Sequence, residues 1–249
     1  MYHRVAVTDC PDRYTVSANA FKMQMFSLRD MGYRVLTLTD TLGELFNPRP
    51  STWKAVCLTF DDGFLDTSLH AAPLLEELQW SATFFVVSGL MGKENLWRSL
   101  SGSHSKHPLL GWREAQSLLA AGFELGSHTA THPVLTDIGP SKAGEEIHQS
   151  KLDIEERLGR PIRYFAYPYG RFDQHIQNVV RAAGYEAACS TLSGFANKNS
   201  DRYALRRIEI FGGDSLRVFR RKLRFGANEM SAFEVARYYA RRAMARCIP

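Results

Sequence analysis

The sequence predicts an α/β fold in which helices cover a parallel sheet. Apolar runs alternate along the chain with amphipathic stretches. The apolar runs are continuous instead of alternating with polar residues, a pattern typical of strands that are buried on both faces. A chain of 249 residues, of which 45% are hydrophobic, can also bury a large core. We therefore expect one domain over residues 1–249, which ends in a basic helical segment at about 214–249.

The predicted strands lie at 56–60, 82–87, 123–127, 164–167 and 186–190. Helices are predicted at 20–31, 67–79, 113–121 and 174–183. A further helix carries Ile147, Ile154 and Leu158 on a helical period and stops at Gly159. In parallel α/β folds, chemistry collects at the carboxyl ends of the strands. Polar residues at those ends are therefore the first candidates for a functional site.

Two short motifs follow predicted strands. Segment 59–63 reads Thr-Phe-Asp-Asp-Gly, and segment 128–132 reads His-Thr-Ala-Thr-His. Two imidazoles and one carboxylate suit a divalent ion such as zinc, and three protein ligands leave a position for water, as in catalytic zinc sites. Either motif alone is a weak signal, because Asp-Asp-Gly is usually a turn and a histidine pair usually has a structural role. Both together, each after a buried strand, favour hydrolysis at a metal.

The adjacent carboxylates are assigned different roles. Successive side chains on a strand point to opposite sides, so Asp61 and Asp62 would not bind one ion alike unless the chain turned there. We assign Asp62 to the metal and Asp61 to the attacking water. His128 and His132 share one face if the segment after Ser127 is helical, and a short loop would also bring them together.

A third motif carries a family resemblance. Segment 165–170 reads Phe-Ala-Tyr-Pro-Tyr-Gly. With segments 59–63 and 128–133, it resembles the first three motifs of the polysaccharide deacetylases, which form carbohydrate esterase family 4, also called the NodB-homology family. The resemblance covers nearly the whole chain. It implies a distorted (β/α) barrel, a divalent metal, with Zn²⁺ as the favoured ion, and hydrolysis of N-acetyl groups on a glycan substrate with release of acetate.

The resemblance also implies roles for individual residues. By position, Asp61 resembles the catalytic base of the family. The backbone N–H of Tyr169 resembles its oxyanion donor, and the residues that resemble its metal ligands are Asp62, His128 and His132.

The sequence departs from the family pattern at two points. The Arg that usually pairs with the base is replaced by Ala166, and the usual late Leu-x-His motif is missing, since no histidine follows His175. A circularly permuted subgroup, the biofilm poly-N-acetylglucosamine deacetylases, carries Tyr-His near its amino terminus, and Tyr2-His3 matches that pattern. The resemblance therefore makes His3 the expected general acid. Without it, a frayed terminal histidine would be the better interpretation.

Two arginines could replace the missing Arg of the third motif. Arg206 and Arg207 stand in the polar opening of an apolar segment. A surface salt bridge accounts equally well for either of them. Tyr167, Tyr169, Phe172 and Trp112 are candidates for stacking on sugar rings, although core packing is the more common role of tryptophan.

Two other functions remain open. The first is a non-haem iron oxygenase, which also uses two histidines and one carboxylate but needs no adjacent second Asp. The other is a catalytically weakened carbohydrate-binding protein, suggested by Ala166 and by the missing late histidine. Release of acetate without oxygen would separate the leading function from both.

Charge and composition limit the expected partners and location. The net charge of +5 is concentrated after Ser215. An amphipathic helix there could make a peripheral contact with anionic lipid, but a solvated helix face that closes the barrel is favoured. No nucleic-acid partner is expected, because no recognised motif accompanies the arginines.

The four cysteines show no paired spacing. Without a secretory signal or a membrane-spanning apolar stretch, a cytoplasmic location is expected.

Overall fold

The computed structural model describes residues 1–9, 12–46, 54–97 and 106–228. In these ranges the strands are β1 (Arg4–Ala6), β2 (Thr15–Ser17), β3 (Arg34–Leu36), β4 (Ala55–Cys57), β5 (Thr59–Phe60), β6 (Thr83–Val86), β7 (Glu124–Ser127), β8 (Tyr164–Ala166), β9 (Ala187–Ser193) and β10 (Leu205–Arg207). The helices are α1 (Ala18–Asp30), α2 (Leu38–Phe46), α3 (Leu65–His70), α4 (Ala72–Glu77), α5 (Trp112–Ala120), α6 (Pro140–Leu158), α7 (Gln174–Ala182) and α8 (Leu216–Phe225).

The central sheet has six strands in the order β10-β9-β8-β7-β6-β5, and every neighbouring pair is parallel. Two further parallel pairs, β1 with β2 and β3 with β4, lie outside it. Helices connect most of the central strands, as expected for a parallel sheet. The predicted α/β class with a parallel sheet is therefore confirmed.

The first two residues bridge the two outer strands of this sheet. Tyr2 donates its backbone N–H to Thr59 on β5 at 2.8 Å, and its carbonyl accepts from the backbone N–H of Asp61 at 2.9 Å. On the other side, Met1 donates to the carbonyl of Ile208 at 2.8 Å and accepts from the N–H of Ile210 at 3.0 Å. The curled sheet thereby closes into a distorted (β/α) barrel, which agrees with the predicted fold.

Tyr2 is anchored in the core of the barrel. Its ring lies 5.6 Å from that of Phe60 and 5.2 Å from that of Phe21 on α1. Its hydroxyl donates to the side-chain oxygen of Gln24 at 2.8 Å. The frayed amino terminus that would have made His3 irrelevant is therefore not observed.

Several predicted elements are interrupted or shorter than expected. The predicted strand 56–60 breaks at Leu58, because β4 pairs with β3 whereas β5 pairs with β6. The predicted helix 67–79 is split at Ala71 into α3 and α4. Pro73 in the first turn of α4 has no N–H to continue a helical hydrogen-bond ladder. By contrast, α6 ends as predicted, with Gly159 in the left-handed conformation.

The predicted basic segment is only partly described. Helix α8 belongs to it, but residues 229–249 lie outside the described residues, so the amphipathic helix expected there stays a prediction. Two of the four cysteines, Cys10 and Cys247, also lie outside; Cys57 and Cys189 are free thiols. No helix among those described combines the length and the apolar character needed to cross a bilayer.

Candidate active site

The two acidic residues after β5 lie at a turn. Asp62 has a φ of 72° and Gly63 a φ of 69°, both in the left-handed region. Non-glycine residues seldom adopt this conformation, and it persists where the surrounding structure imposes it. The turn separates the two carboxylates, so that Asp61 and Asp62 face different partners. A site with one ligand and one base requires this separation.

The two histidines after β7 lie in a loop, which settles the alternative that the sequence left open. His132 has a φ of 64°, and its backbone N–H donates to the hydroxyl of Thr129 at 2.9 Å. The carboxylate of Glu146 on α6 accepts the backbone N–H groups of residues 130 and 131 at 3.0 and 2.8 Å. Helix α6 therefore holds the loop against the sheet, and His128 and His132 converge without a helical turn.

Asp62, His128 and His132 form a compact buried group. Oδ1 of Asp62 lies 3.2 Å from Nε2 of His128 and 3.2 Å from Nε2 of His132. Each residue offers one ligand atom, and the three atoms lie within 4.8 Å of one another. Burial raises the pKa of Asp62, but the two imidazoles outweigh that effect and hold it well below its usual range. The group presents an ionised carboxylate with two nitrogen donors.

The hydrogen bonding of His128 fits a metal ligand. Its Nδ1 lies 2.7 Å from the carbonyl oxygen of Ala166, which can only accept, so Nδ1 carries the hydrogen. Nε2 is then the atom that can give a lone pair, and it faces Asp62. Metal-binding histidines usually donate their second ring N–H in this manner. The donor set of one carboxylate and two imidazoles therefore fits a divalent ion.

Asp61 is paired with Arg207 at the end of β10. Two guanidinium nitrogens donate to its two carboxylate oxygens at 2.7 and 2.6 Å, and both side chains are buried. Burial raises the pKa of Asp61, but the charge and hydrogen bonds of Arg207 outweigh it and leave the pKa lowered. Asp61 is thus held ionised, as a general base requires.

The surroundings of Arg206 and Arg207, the two candidates for the missing Arg, differ. Arg206 is exposed and donates to the carbonyl of Ser193 at 2.9 Å. Arg207 points inward, where it also donates to the carbonyl of Ser190 at 2.9 Å and to the hydroxyl of Thr59 at 3.2 Å. Of the two candidates, Arg207 is therefore the one that pairs with Asp61.

His3 is brought to this end of the sheet because Tyr2 pairs with Phe60, which sets His3 level with Asp61 along the two backbones. It is close enough to interact electrostatically with both Asp61 and Asp62. Its Nδ1 lies 3.9 Å from a carboxylate oxygen of Glu209, and its ring packs edge-on against Tyr14 at 4.8 Å. The structure therefore brings His3 to the site from the distant amino terminus.

Tyr169 lies in a short 3-10 turn, Pro168–Gly170, directly after β8. Its φ of 56° is left-handed, and its ring centre lies 4.7 Å from that of His132. The side chain of Tyr169, in the third sequence motif, therefore borders the buried group of Asp62, His128 and His132.

The other predicted stacking aromatics have structural roles. Tyr167 is buried, donates its hydroxyl to the carbonyl of Tyr203 at 2.8 Å, and stacks on Phe172. Trp112, the first residue of α5, is half-buried, packs against the hydrophobic core and lies beneath Arg157. Trp97, which sequence reasoning did not single out, stacks on His132. It lies in an irregular segment with no hydrophobic period, so no sequence signal pointed to it.

Comparisons with known proteins agree with this geometry. The polysaccharide deacetylase family model matches residues 49–188, more than half of the chain. This range contains Asp61, Asp62, both histidines and Tyr169, whereas His3 and Arg207 lie outside it. A putative polysaccharide deacetylase of Bacillus subtilis, YxkH, is 26% identical over 88% of this chain and 73% of its own length. A poly-beta-1,6-N-acetyl-D-glucosamine N-deacetylase of Staphylococcus aureus is 26% identical over 79% of this chain and 68% of its own.

Solved structures show the same architecture. A Streptococcus pyogenes deacetylase, PplD, in complex with acetate, has a TM-score of 0.77 and 25% identity, covering 90% of this chain and 96% of that one. IcaB from Ammonifex degensii has a TM-score of 0.75 and 26% identity, covering 89% of this chain and 94% of its own. In both cases the similarity extends over nearly the whole of the solved chain.

Proposed function

The chain belongs to the polysaccharide deacetylase family, and we propose that it is a metal-dependent hydrolase that removes N-acetyl groups from a glycan and releases acetate. One observation carries the proposal: buried Asp61, paired with Arg207, directly precedes Asp62 in a group of three buried side chains that could hold a metal ion. A base beside an open metal position is what hydrolysis of an amide requires.

We propose that Asp62, His128 and His132 hold the metal. Two nitrogen donors and one oxygen donor suit Zn²⁺, which is the ion we favour. When bound, a divalent ion at this position supplies Lewis acidity to a carbonyl oxygen and makes water more acidic. Hydrogen bonding of His128 to Ala166 orients one of the two imidazoles for this task.

The proposed proton transfers use residues of the chain itself. Asp61 accepts the proton of the attacking water, and Arg207 keeps Asp61 ionised until then. His3, protonated, donates a proton to the nitrogen of the leaving amine. The C–N bond of the acetamide breaks, and the products are acetate and a free amino sugar.

Tyr169 is proposed to stabilise the charge that develops on the former carbonyl oxygen. Its backbone N–H is a fixed dipole that needs no reorganisation during the reaction, and such donors contribute strongly to acyl-transfer catalysis. The left-handed conformation of Tyr169 supports this role, since residues in rare conformations cluster at active sites.

The glycan we propose to test first is a polymer of N-acetylglucosamine. The Staphylococcus aureus relative is named for its action on poly-beta-1,6-N-acetyl-D-glucosamine. Half-buried aromatic side chains at the site, Trp97 and Tyr169, provide faces on which sugar rings stack.

The pairing of Asp61 with Arg207 also bears on the two alternative functions. An oxygenase has no use for a second carboxylate that is held ionised beside the metal ligands. The weakened carbohydrate-binding protein was motivated by the missing Arg and the missing late histidine, and the pairing of Arg207 with Asp61 supports Arg207, as the resemblance supports His3, in those two roles. Hydrolysis is therefore the function that the geometry supports best.

The test is a measurement of acetate release. The protein is incubated with poly-N-acetylglucosamine, chitin oligomers and peptidoglycan fragments under nitrogen, with and without a chelator. We expect acetate from at least one glycan without oxygen, loss of release with the chelator, and recovery on addition of Zn²⁺. Release that persists after complete removal of metal would contradict the metal-dependent mechanism, and no release from any glycan would contradict the deacetylase proposal.

A further inference from the structure

The two histidines of the metal-ligand group are supported differently. Nδ1 of His128 donates to the carbonyl of Ala166. Nδ1 of His132 is buried and has no hydrogen-bond partner among the described residues. His132 therefore keeps its contact with Asp62 at Nε2 but lacks the hydrogen bond at the second ring nitrogen that usually completes the orientation of a ligating imidazole. Some other contact must hold the ring of His132 in place.

The contact that replaces the hydrogen bond is aromatic. The indole of Trp97 stacks on the imidazole of His132, with ring centres 4.1 Å apart and planes inclined by 30°. Tyr169 approaches the same ring at 4.7 Å and 60°, so its plane is steeply inclined to the imidazole. Of these two neighbours, Trp97 therefore covers the larger part of the ring face.

Trp97 is itself held in a defined place. Buried Asn95 donates its side-chain N–H to the carbonyl of Trp97 at 3.0 Å. The side-chain oxygen of Asn95 accepts the backbone N–H of His107 at 2.7 Å, and the two residues share a backbone hydrogen bond at 3.1 Å. The indole also packs against Phe64, with ring centres 6.0 Å apart. Trp97 is thus held in place both through its own backbone and through its ring.

From these contacts we infer that Trp97 is a positioning residue for His132, whose orientation it fixes in place of a hydrogen bond at Nδ1. The inference deepens the proposed function, because it rests on the metal site proposed above. The primary role that we infer for Trp97 is to help retain the metal, and contact with a sugar ring is secondary. Removal of a group that orients a ligand typically weakens metal affinity by about 10-fold to 100-fold.

Affinity for Zn²⁺, measured by competition with a chromophoric chelator, tests this role directly. The affinity of Trp97→Ala for Zn²⁺ is expected to be lower than that of the wild type by about 10-fold or more. Trp97→Phe, which keeps an aromatic face, is expected to recover most of the affinity. Circular dichroism of the metal-free variants should match the wild type, and thermal unfolding measures separately the loss of packing against Phe64 in Trp97→Ala. Trp112→Ala, outside the site on α5, is the matched control and should bind Zn²⁺ normally.

Fluorescence gives a second readout. The chain has four tryptophans, and Trp97 is the one that stacks on a metal ligand within the described residues. Co²⁺ bound at the site should quench its emission strongly, and this quenching should disappear in Trp97→Phe but persist in Trp112→Phe. Unchanged quenching in Trp97→Phe would show that the indole does not lie beside the metal, which would overturn the inference.

The remaining outcomes separate this inference from the proposed function. Wild-type Zn²⁺ affinity in Trp97→Ala with a raised KM for the glycan would overturn the positioning role and make Trp97 a sugar contact. A wild type that binds Zn²⁺ in a Trp97-dependent manner but releases no acetate would support the positioning role while contradicting the deacetylase. A wild type that binds no divalent ion would overturn the metal site and the positioning role together.

Discussion

The guanidinium of Arg207 binds both carboxylate oxygens of Asp61, at 2.7 and 2.6 Å. The two residues are 146 positions apart in the chain. Asp61 follows β5 and Arg207 ends β10, and these are the two outer strands of the central sheet. The ion pair therefore spans the closure of the barrel. The same contact therefore keeps the proposed base ionised and helps to hold the barrel closed.

We expect Arg207→Gln to damage both activity and stability. Without the guanidinium, burial dominates and the pKa of Asp61 rises, so the base is protonated over a wider pH range. Acetate release at neutral pH should fall by about 10²-fold or more, and the acidic limb of the pH-rate profile should move to higher pH. Breaking a buried ion pair should also lower the free energy of unfolding by about 3–5 kcal/mol, measured in urea.

The neighbouring arginine supplies the control for that experiment. Arg206→Gln removes an equal charge from the same strand, but from an exposed side chain. It should change activity by less than about twofold and stability within about 0.5 kcal/mol. Equal losses in the two variants would show that the pairing with Asp61 is not the cause.

Substitutions of the adjacent carboxylates should separate base from ligand. Asp61→Asn removes the proton acceptor, so acetate release should fall by about 10²-fold to 10⁴-fold while bound metal, measured by atomic emission, stays near the wild-type level. Asp62→Ala and His128→Ala remove ligand atoms, so the metal itself should be lost. Full activity in Asp61→Asn, or full metal content in Asp62→Ala, would reverse the assigned roles.

His3 is predicted to act on the leaving group and not on the metal. His3→Gln should lower kcat by about 10²-fold or more at unchanged metal content, because proton donation to the amine is lost. A glycan surrogate with a better leaving group should be less affected. His148→Gln changes an exposed histidine on α6 and serves as the control. Wild-type turnover in His3→Gln would remove His3 from the mechanism.

Closure of the barrel through the amino-terminal segment predicts a stability effect at Tyr2. Tyr2→Ala removes a fully buried ring from between Phe21 and Phe60 and should cost about 3–5 kcal/mol in the free energy of unfolding. Tyr2→Phe keeps the ring but leaves Gln24 without its donor, at a cost of about 1–3 kcal/mol. Urea titration of both variants measures the difference. Stability unchanged in Tyr2→Ala would mean that the segment contributes nothing to closure.

Patterns local to the sequence predicted the long strands and the helices between them. The predicted runs 82–87, 123–127, 164–167 and 186–190 overlap β6, β7, β8 and β9, and each spans four to six residues that are mostly apolar or small. Strands β1, β2, β3 and β10 have three residues each and, unlike β8, do not lie within a longer predicted run, so they show no period. They form because another segment of the backbone lies within hydrogen-bonding distance in the folded chain. The local sequence of a three-residue strand carries no signal of this pairing.

The sequence by itself determined the atoms of the proposed metal site and base. Asp61, Asp62 and His128 follow strands directly, His132 lies in the loop after His128, and the carboxyl ends of parallel strands meet at one edge of a sheet. The motifs and the common direction of the strands were therefore enough to predict that these residues lie close together.

The tertiary structure decided how residues from distant parts of the chain reach the proposed site. His3 arrives because Tyr2 pairs with β5, Arg207 because β10 is brought opposite β5, and Trp97 because Asn95 holds its backbone. The sequence left Arg206 and Arg207 indistinguishable, and only the inward direction of one side chain separates them. These placements depend on barrel closure and on long-range packing, whose energies arise between segments that are far apart in the chain.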